Sequence, residues 1–466
     1  MRRLTVIFLL SAAFVGGRFT SAHSAPVVSP EGRVVPRLAA PALALEQAIR
    51  TVRDLLAAVR GLPAVVCGLT AEAAAGWGGN GFDAPAPPLG EETAERVRYF
   101  PRGRMSLSEV SLVVDSLSTT DACVREVAVR LVGRVNASVV EERLIARLAT
   151  TTPLPTREAA AVGLGLVRSK VAVDPLLRLT SNAEVGLRSN AAWALGRIGD
   201  KQVAPTIRRM LTDDEDMARG AAVKALGSLE DQASIPELVR VLRADPVARV
   251  RRVAAWALGQ IEAREAVSGL VAAVRAERDE DVREMAVWAL GEIESKEAAG
   301  TLVDVVRRDA SAKVRESAAW ALGQIEDSEG VAALGEAAGG DADENVRATA
   351  AWAIGQIEPN EAPAGLIRAV RDADAEVRAR AAWALSEMKD TRAVSALREA
   401  YRTEKDSKAR RAQLRALVRS GGASEDLFRE LLRSDDPEVR EQAVRGMAGR
   451  SMDPWPWPMP RPRPFP

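Results

Sequence analysis

His23 is the only histidine among 466 residues, and that scarcity removes most catalytic options. No Ser-His-Asp or Cys-His arrangement can be assembled, and no imidazole metal site. There are two cysteines, Cys67 and Cys123, set 56 positions apart, which is not the spacing of a zinc site. Neither sign of charge is in excess: Lys plus Arg and Asp plus Glu both number 64, so no global field draws the chain to nucleic acid or anionic membrane. The Gly-rich stretch 76–81 follows no strand signal and lacks the lysine of a phosphate loop. Carboxylates are plentiful but recur periodically, as solvated faces do. These absences predict no catalytic residues, no metal, no cofactor and no enzyme.

Long apolar runs are also missing. The longest, Leu4 to Val15, falls well short of the roughly 20 residues that span a bilayer. Arg2 and Arg3 precede it and the small residues Thr20, Ser21 and Ala22 follow, the pattern of a secretory leader over 1–25 with cleavage after Ala22. The mature protein is then expected to be periplasmic or secreted, with an uncleaved anchor as the alternative. Aromatics are only 4%, and Ala, Val, Leu, Arg and Glu dominate, the profile of many short helices rather than one large core.

What is present is repetition. Ala-Trp-Ala-Leu-Gly recurs at Trp193, Trp256, Trp288 and Trp320, with variants at Trp352 and Trp383. The apolar residue two after each Trp position marks a phase: Val132, Leu164, Leu195, Leu226, Leu258, Leu290, Leu322, Ile354, Leu385, Leu417 and Met447, at intervals of 30 to 32. Seven positions before every marker stands an arginine, from Arg125 and Arg157 through Arg188, Arg219, Arg251, Arg283, Arg315, Arg347 and Arg378 to Arg410 and Arg440.

Each unit reads as two helices. Val282, Ala286, Leu290 and Ile293 form one apolar stripe on the second, and runs such as Ala266 to Val274 form the first. An acidic turn lies between them, as in Arg-Asp-Ala-Asp-Ala-Glu at 371–376, whose Asp residues can cap the second helix. Neither helix can bury its stripe alone, so the units must stack.

These units resemble HEAT repeats, of the short class associated with phycobilin-lyase subunits, in an exported bacterial form. That class carries an Asp six residues before the repeated Arg, and here Asp213 precedes Arg219, Asp245 Arg251, Asp309 Arg315, Asp341 Arg347 and Asp372 Arg378, with Glu277 before Arg283 as a near match. The resemblance implies an all-α, right-handed α-solenoid of about eleven hairpins over 106–450. It is nearly silent on activity. The di-iron centre of some HEAT-repeat hydroxylases needs histidines that this chain lacks. An arginine beside an acidic turn in every unit predicts a structural ladder of charge-assisted hydrogen bonds between loops. Cys123 stands where other units have Lys313, Asn345 or Glu376, so it is expected to face solvent, either paired with Cys67 or as a free thiol.

The ends differ from the middle. Leu45 to Val59 predicts a capping helix that stops at Gly61 and Pro63, and 71–105 reads as a long loop, so 26–105 forms a cap and a Gly/Pro-rich connection. In 451–466, proline alternates with Trp455, Trp457, Met459, Arg461, Arg463 and Phe465, which dictates extended polyproline geometry.

The Trp row lies off the buried stripe. In HEAT arrays the second helices line the concave surface, and there Trp193, Trp256, Trp288, Trp320, Trp352 and Trp383, flanked by Gln260, Glu292, Gln324 and Gln356, are candidate partner-binding residues. Six open indoles would expose on the order of 1,000 Å², more than a monomer ordinarily tolerates, so they either seal the stack or bind. The expected function is an exported scaffold for a protein or peptide partner, the Pro-rich tail of the chain itself included. A nucleic-acid binder similar to the HEAT-like DNA glycosylases, or a lyase-like, chromophore-handling subunit, are the alternatives.

Overall fold

The computed structural model describes residues 105–420 except Lys389, parts of 428–447, and a few positions within the first sixty residues. The expected leader at 1–25, Cys67, all but the last residue of the 71–105 loop and the 451–466 tail lie outside the described residues. The chain divides into Met1–Ala58 and Val59–Pro466. In the first unit, β1 (Val27–Val28) pairs antiparallel with β2 (Val34–Val35), and Val52 and Leu56 are helical and buried.

The second unit is an α-solenoid. Ten helical hairpins follow one another among the described residues. They are α1 (Leu107–Ser116) with α2 (Ala122–Val132), α3 (Ala137–Ala146) with α4 (Leu154–Leu166), α5 (Val173–Leu179) with α6 (Val185–Ile198), and α7 (Ala204–Arg209) with α8 (Asp216–Ser228). Next come α9 (Ile235–Ala244) with α10 (Ala248–Gln260), α11 (Val267–Ala276) with α12 (Glu280–Glu292), and α13 (Ala299–Arg308) with α14 (Ala312–Ile325). The last three are α15 (Val331–Gly340) with α16 (Glu344–Ile357), α17 (Ala364–Ala369) with α18 (Ala375–Met388), and α19 (Val394–Thr403) with α20 (Ser407–Arg419). One further second helix, α21 (Pro437–Met447), follows.

Local chemistry sets the helix ends. The turn before a second helix supplies its cap: Asp374 Oδ1 accepts from the backbone N–H groups of Glu376 and Val377 at 2.9 and 3.1 Å, and Asp279 accepts from Val282 at 3.1 Å. Most second helices stop at a left-handed residue four after the marker. That residue is Gly199 in one unit but Arg168, Glu230, Glu262, Glu294, Glu326 and Glu358 in six others, with φ between 46° and 53°. An L-residue there carries strain of about 1 kcal/mol.

Ten of the eleven phase markers, Val132 through Leu417, are fully buried, whereas Met447 is 57% exposed. Each second helix from α2 to α20 packs on its own first helix, and each from α4 onward also packs on the second helix before it. Burial therefore accumulates from nearest neighbours rather than around one centre.

Cys123 is disulfide-bonded, one of the two expected states, but it does not face solvent as expected: it is only 1% exposed, although Lys313 and Asn345 at the equivalent position are exposed. A helix position that is open in the middle of the array is thus closed near its start.

Candidate functional site: the second-helix face

The repeated arginines and acids meet across units, not within them. Arg283 Nε and Nη2 donate to Asp309 of the next turn at 3.0 and 3.1 Å, while Nη1 donates to the carbonyls of Glu277 and Arg278 in its own turn. The same bidentate pairing joins Arg188 to Asp213, Arg219 to Asp245, Arg251 to Glu277, Arg315 to Asp341, Arg347 to Asp372 and Arg378 to Glu404, with N to O distances of 2.6 to 3.1 Å. The acid that precedes an arginine in sequence therefore gives it a main-chain oxygen and gives its own carboxylate to the arginine of the unit before. Each carboxylate also accepts from a backbone N–H two residues on, as Asp309 does from Ser311 at 2.9 Å. The Arg251 guanidinium holds the Glu277 carboxyl below the usual range. Because these guanidinium groups are occupied, the row offers no strip for a foreign anion.

The ladder ends where its acid ends. Asn182 stands where Arg157 would find a carboxylate, and Arg157 donates instead to the Leu148 carbonyl at 3.3 Å. At the other end Arg410 lies over the Tyr401 ring at 5.0 Å.

The tryptophans are packed more deeply than an open row would be. Trp193, Trp320 and Trp352 are buried at 3%, 2% and 2% exposure, and Trp256, Trp288 and Trp383 are half-buried. Each presses the Cζ3 edge of its ring against the glycine that follows the marker of the preceding unit. A Cβ placed on Gly165, Gly227, Gly259, Gly291, Gly323 or Gly355 would lie 2.4 to 2.9 Å from that atom. The same positions face the alanine after the Trp, with Ala257 Cα only 2.9 Å from a Cβ on Gly227. The indole thus occupies a notch that only glycine leaves free, so of the two alternatives the sequence left, all six rings seal the stack, and three of them stay partly accessible. In the unit that lacks the Trp, Lys224 is buried and its ammonium lies 5.8 Å over the Trp256 ring.

The accessible part of this face lies on either side of the indoles. Gln260 and Glu292 are exposed and Gln324 and Gln356 half-buried two residues after the marker. Four and seven residues before the Trp position run two rows that sequence reading passed over: Arg252, Glu284 and Glu316 in one, and Arg249, Asp281 and Lys313 in the other. Their period matches that of the tryptophans, and this was the signal available. Charges in these rows are paired between neighbouring helices, Arg249 with Asp216 at 3.3 Å and Arg252 with Asp281 at 3.9 Å, and near the end of the array Arg415, at the Trp position, and Arg419 both pair with Glu387 at 3.4 Å. Glu284 and Glu316 are less well matched. Burial pushes both carboxyls up, opposed at Glu284 by Lys313 and at Glu316 by a hydrogen bond from Thr349 at 3.4 Å.

Among the described residues no group of three or more His, Cys, Asp or Glu side chains is placed to hold a metal ion, and no helix is long and apolar enough to cross a membrane.

Comparison with known proteins agrees with this geometry. The importin β structure determined in ammonium sulfate aligns at 15% identity and a TM-score of 0.53, covering 77% of this chain and 59% of that one. Kap95p bound to RanGDP aligns at 13% identity and a TM-score of 0.51, covering 77% and 57%. This chain therefore spans less than three fifths of either, and the likeness concerns the fold. The CpcE and CpcF complex of phycocyanin lyase from Nostoc sp. PCC7120 aligns at 24% identity and a TM-score of 0.33 over 50% of this chain and 95% of that one. No curated protein matches the chain by sequence. The family profile of HEAT repeats matches five overlapping segments, 176–259, 235–323, 267–344, 301–373 and 331–418, which together run through more than half of the 466 residues. By that match, and by the stacked hairpins with their arginine ladder, the chain belongs to the HEAT-repeat family.

Proposed function

We propose that this chain is an exported, non-enzymatic scaffold that holds a protein partner on the face of its second helices, and that extended Pro-rich segments are the class of partner it takes. The observation that carries this reading is the contrast between the two features of that face. Its backbone is fixed by bidentate rungs and glycine notches, while polar and charged side chains of both signs stand partly exposed beside the indoles. A preorganised surface with polar groups around partly exposed aromatics loses little entropy when a partner docks. Solenoids of the same fold include Kap95p, which binds RanGDP. Catalysis has no obvious agent, because the one histidine stands at the boundary of the leader. Export rests on the leader pattern at 1–25, with cleavage after Ala22 and a periplasmic or secreted destination, where Cys123 would pair with Cys67.

The test places a photo-crosslinking residue at Gln260 or Gln324 on the second helices, and at Arg240 or Asp304 on the exposed side of the first. Adducts with one discrete protein from the first pair alone are expected. Equal adducts from both pairs, or none from the first, would sink the assignment of the face. Amino-terminal sequencing of protein recovered from the cell envelope should begin at His23; an intact leader would overturn the export reading.

A further inference from the structure

One stretch of the second-helix face is less satisfied than the rest. On α12 and the neighbouring α14, Glu284 faces Lys313 among the carboxylates of Glu280, Asp281 and Glu316, the cation that acts on Glu316, Arg380, is already paired with Glu376 at 2.8 Å, and Arg252 reaches toward Asp281 at 3.9 Å. Glu284 and Glu316 are half-buried carboxylates, costly to desolvate without a matching charge. Between them lie Trp288, partly accessible, and Trp320, whose indole Nε1 is buried with no hydrogen-bond partner. The Ser317 hydroxyl, also buried, has none either. A buried donor without an acceptor costs roughly 1–3 kcal/mol. Among the Trp residues at this phase, only Trp320 carries such an orphan nitrogen among the described residues. The stretch therefore lacks a cation, a hydrogen-bond acceptor and a flat apolar cover for Trp288.

An extended, arginine-bearing, proline-rich segment supplies the cation and the cover: its guanidinium groups pair with carboxylates and its pyrrolidine rings stack on indoles. The chain carries one such segment. Residues 454–466 hold seven prolines, Arg461 and Arg463, and no Asp or Glu. In polyproline geometry these thirteen residues extend about 40 Å at 3.1 Å per residue. Helices stacked at about 8–10 Å set the four steps from α10 to α18 at a similar length. From Met447, the last residue of α21, to Arg461 there are 14 residues, which span about 43 Å when extended at 3.1 Å per residue, enough to run back along about four helix steps.

We propose that the C-terminal tail, residues 454–466, docks in its own molecule across α12 and α14, with Arg461 and Arg463 against Glu284 and Glu316 and a proline on Trp288. The site is then self-occupied, and a partner of similar chemistry must displace the tail. This rests on the scaffold reading above and narrows it to one occupant.

The probe is a fluorescein-labelled peptide of residues 454–466, titrated by anisotropy against the full chain and against a chain ending at Asp453. The shortened chain should bind the peptide at least tenfold more tightly than the full chain, whose own tail competes. Glu284→Gln with Glu316→Gln, which keep volume and leave helical circular dichroism unchanged, should weaken that binding at least tenfold. The Arg461→Ala, Arg463→Ala peptide should show the same loss. No binding to the shortened chain, equal binding to both chains, or indifference to the two Glu changes would each overturn the assignment. A full chain that dimerises in sedimentation and becomes monomeric without its tail would overturn the intramolecular form. If the peptide fails while Gln260 and Gln324 still crosslink to a discrete partner, the tail proposal falls and the scaffold reading stands.

Discussion

Two glycines in one helix should respond oppositely to the same substitution. Gly220 and Gly227 both lie in α8. A methyl on Gly220 would meet nothing nearer than Val250 Cγ2 at 4.0 Å, whereas one on Gly227 would stand 2.9 Å from Ala257 Cα, Ala257 Cβ and Trp256 Cζ3. Replacing an interior helical glycine by alanine stabilises by about 0.8–1.0 kcal/mol when nothing else changes, and Gly220→Ala should gain most of that. At Gly227 the methyl must push α8 away from the backbone of α10, and overpacking of this kind costs about 1–3 kcal/mol. The net effect is a loss of about 0–2 kcal/mol, so the two variants should differ by about 1–3 kcal/mol. Urea unfolding followed by circular dichroism, with the midpoint shift read at constant m, measures the difference. Trp256→Ala sharpens the test, because it removes the ring but leaves Ala257 Cα in place, and Gly227→Ala should stay destabilising in that background. If Gly227→Ala stabilises as much as Gly220→Ala, the close approach of second helices is not what reserves that position for glycine.

Other perturbations probe the ladder, the caps and the start of the array. Asp309→Asn removes the charge that Arg283 grips and should cost about 2 kcal/mol in thermal unfolding; Arg283→Lys should not be tolerated better than Arg283→Ala by more than a few tenths, since an ammonium cannot fork. Glu294→Gly relieves a left-handed L-residue at φ 52° and should stabilise by about 0.5–1 kcal/mol, whereas an unchanged or lower melting temperature would show that the strain is compensated locally. Burial pushes the Glu158 carboxyl up to about 7, against the pull of Arg125. The folded state then holds this proton where the unfolded chain, titrating near 4.5, has lost it. Stability should therefore fall as pH rises from 4.5 through 7 and level off above, by on the order of 1–2 kcal/mol after screening. Glu158→Gln should remove that part of the pH profile, and a profile identical to that of the unaltered chain would refute the assignment.

The sequence alone determined the period, the hairpins and the buried positions. An apolar residue every 30 to 32 positions with an arginine seven before it leaves stacking as the only way to hide each stripe, and ten of those markers are indeed fully buried. The chemistry of the turn was equally legible, because Asp beside the start of a helix caps it whatever its neighbours do. Which residues touch across units was decided only in three dimensions. The partner of Arg283 is Asp309 rather than Glu277, because the spacing of 26 residues between them depends on how one turn settles over the next. The tryptophans looked open along a single helix, yet each ring closes on a glycine in the preceding one. Periodicity reports the face on which a side chain stands, but the depth of its packing is set by the neighbouring helix's register, and register is a property of the stack.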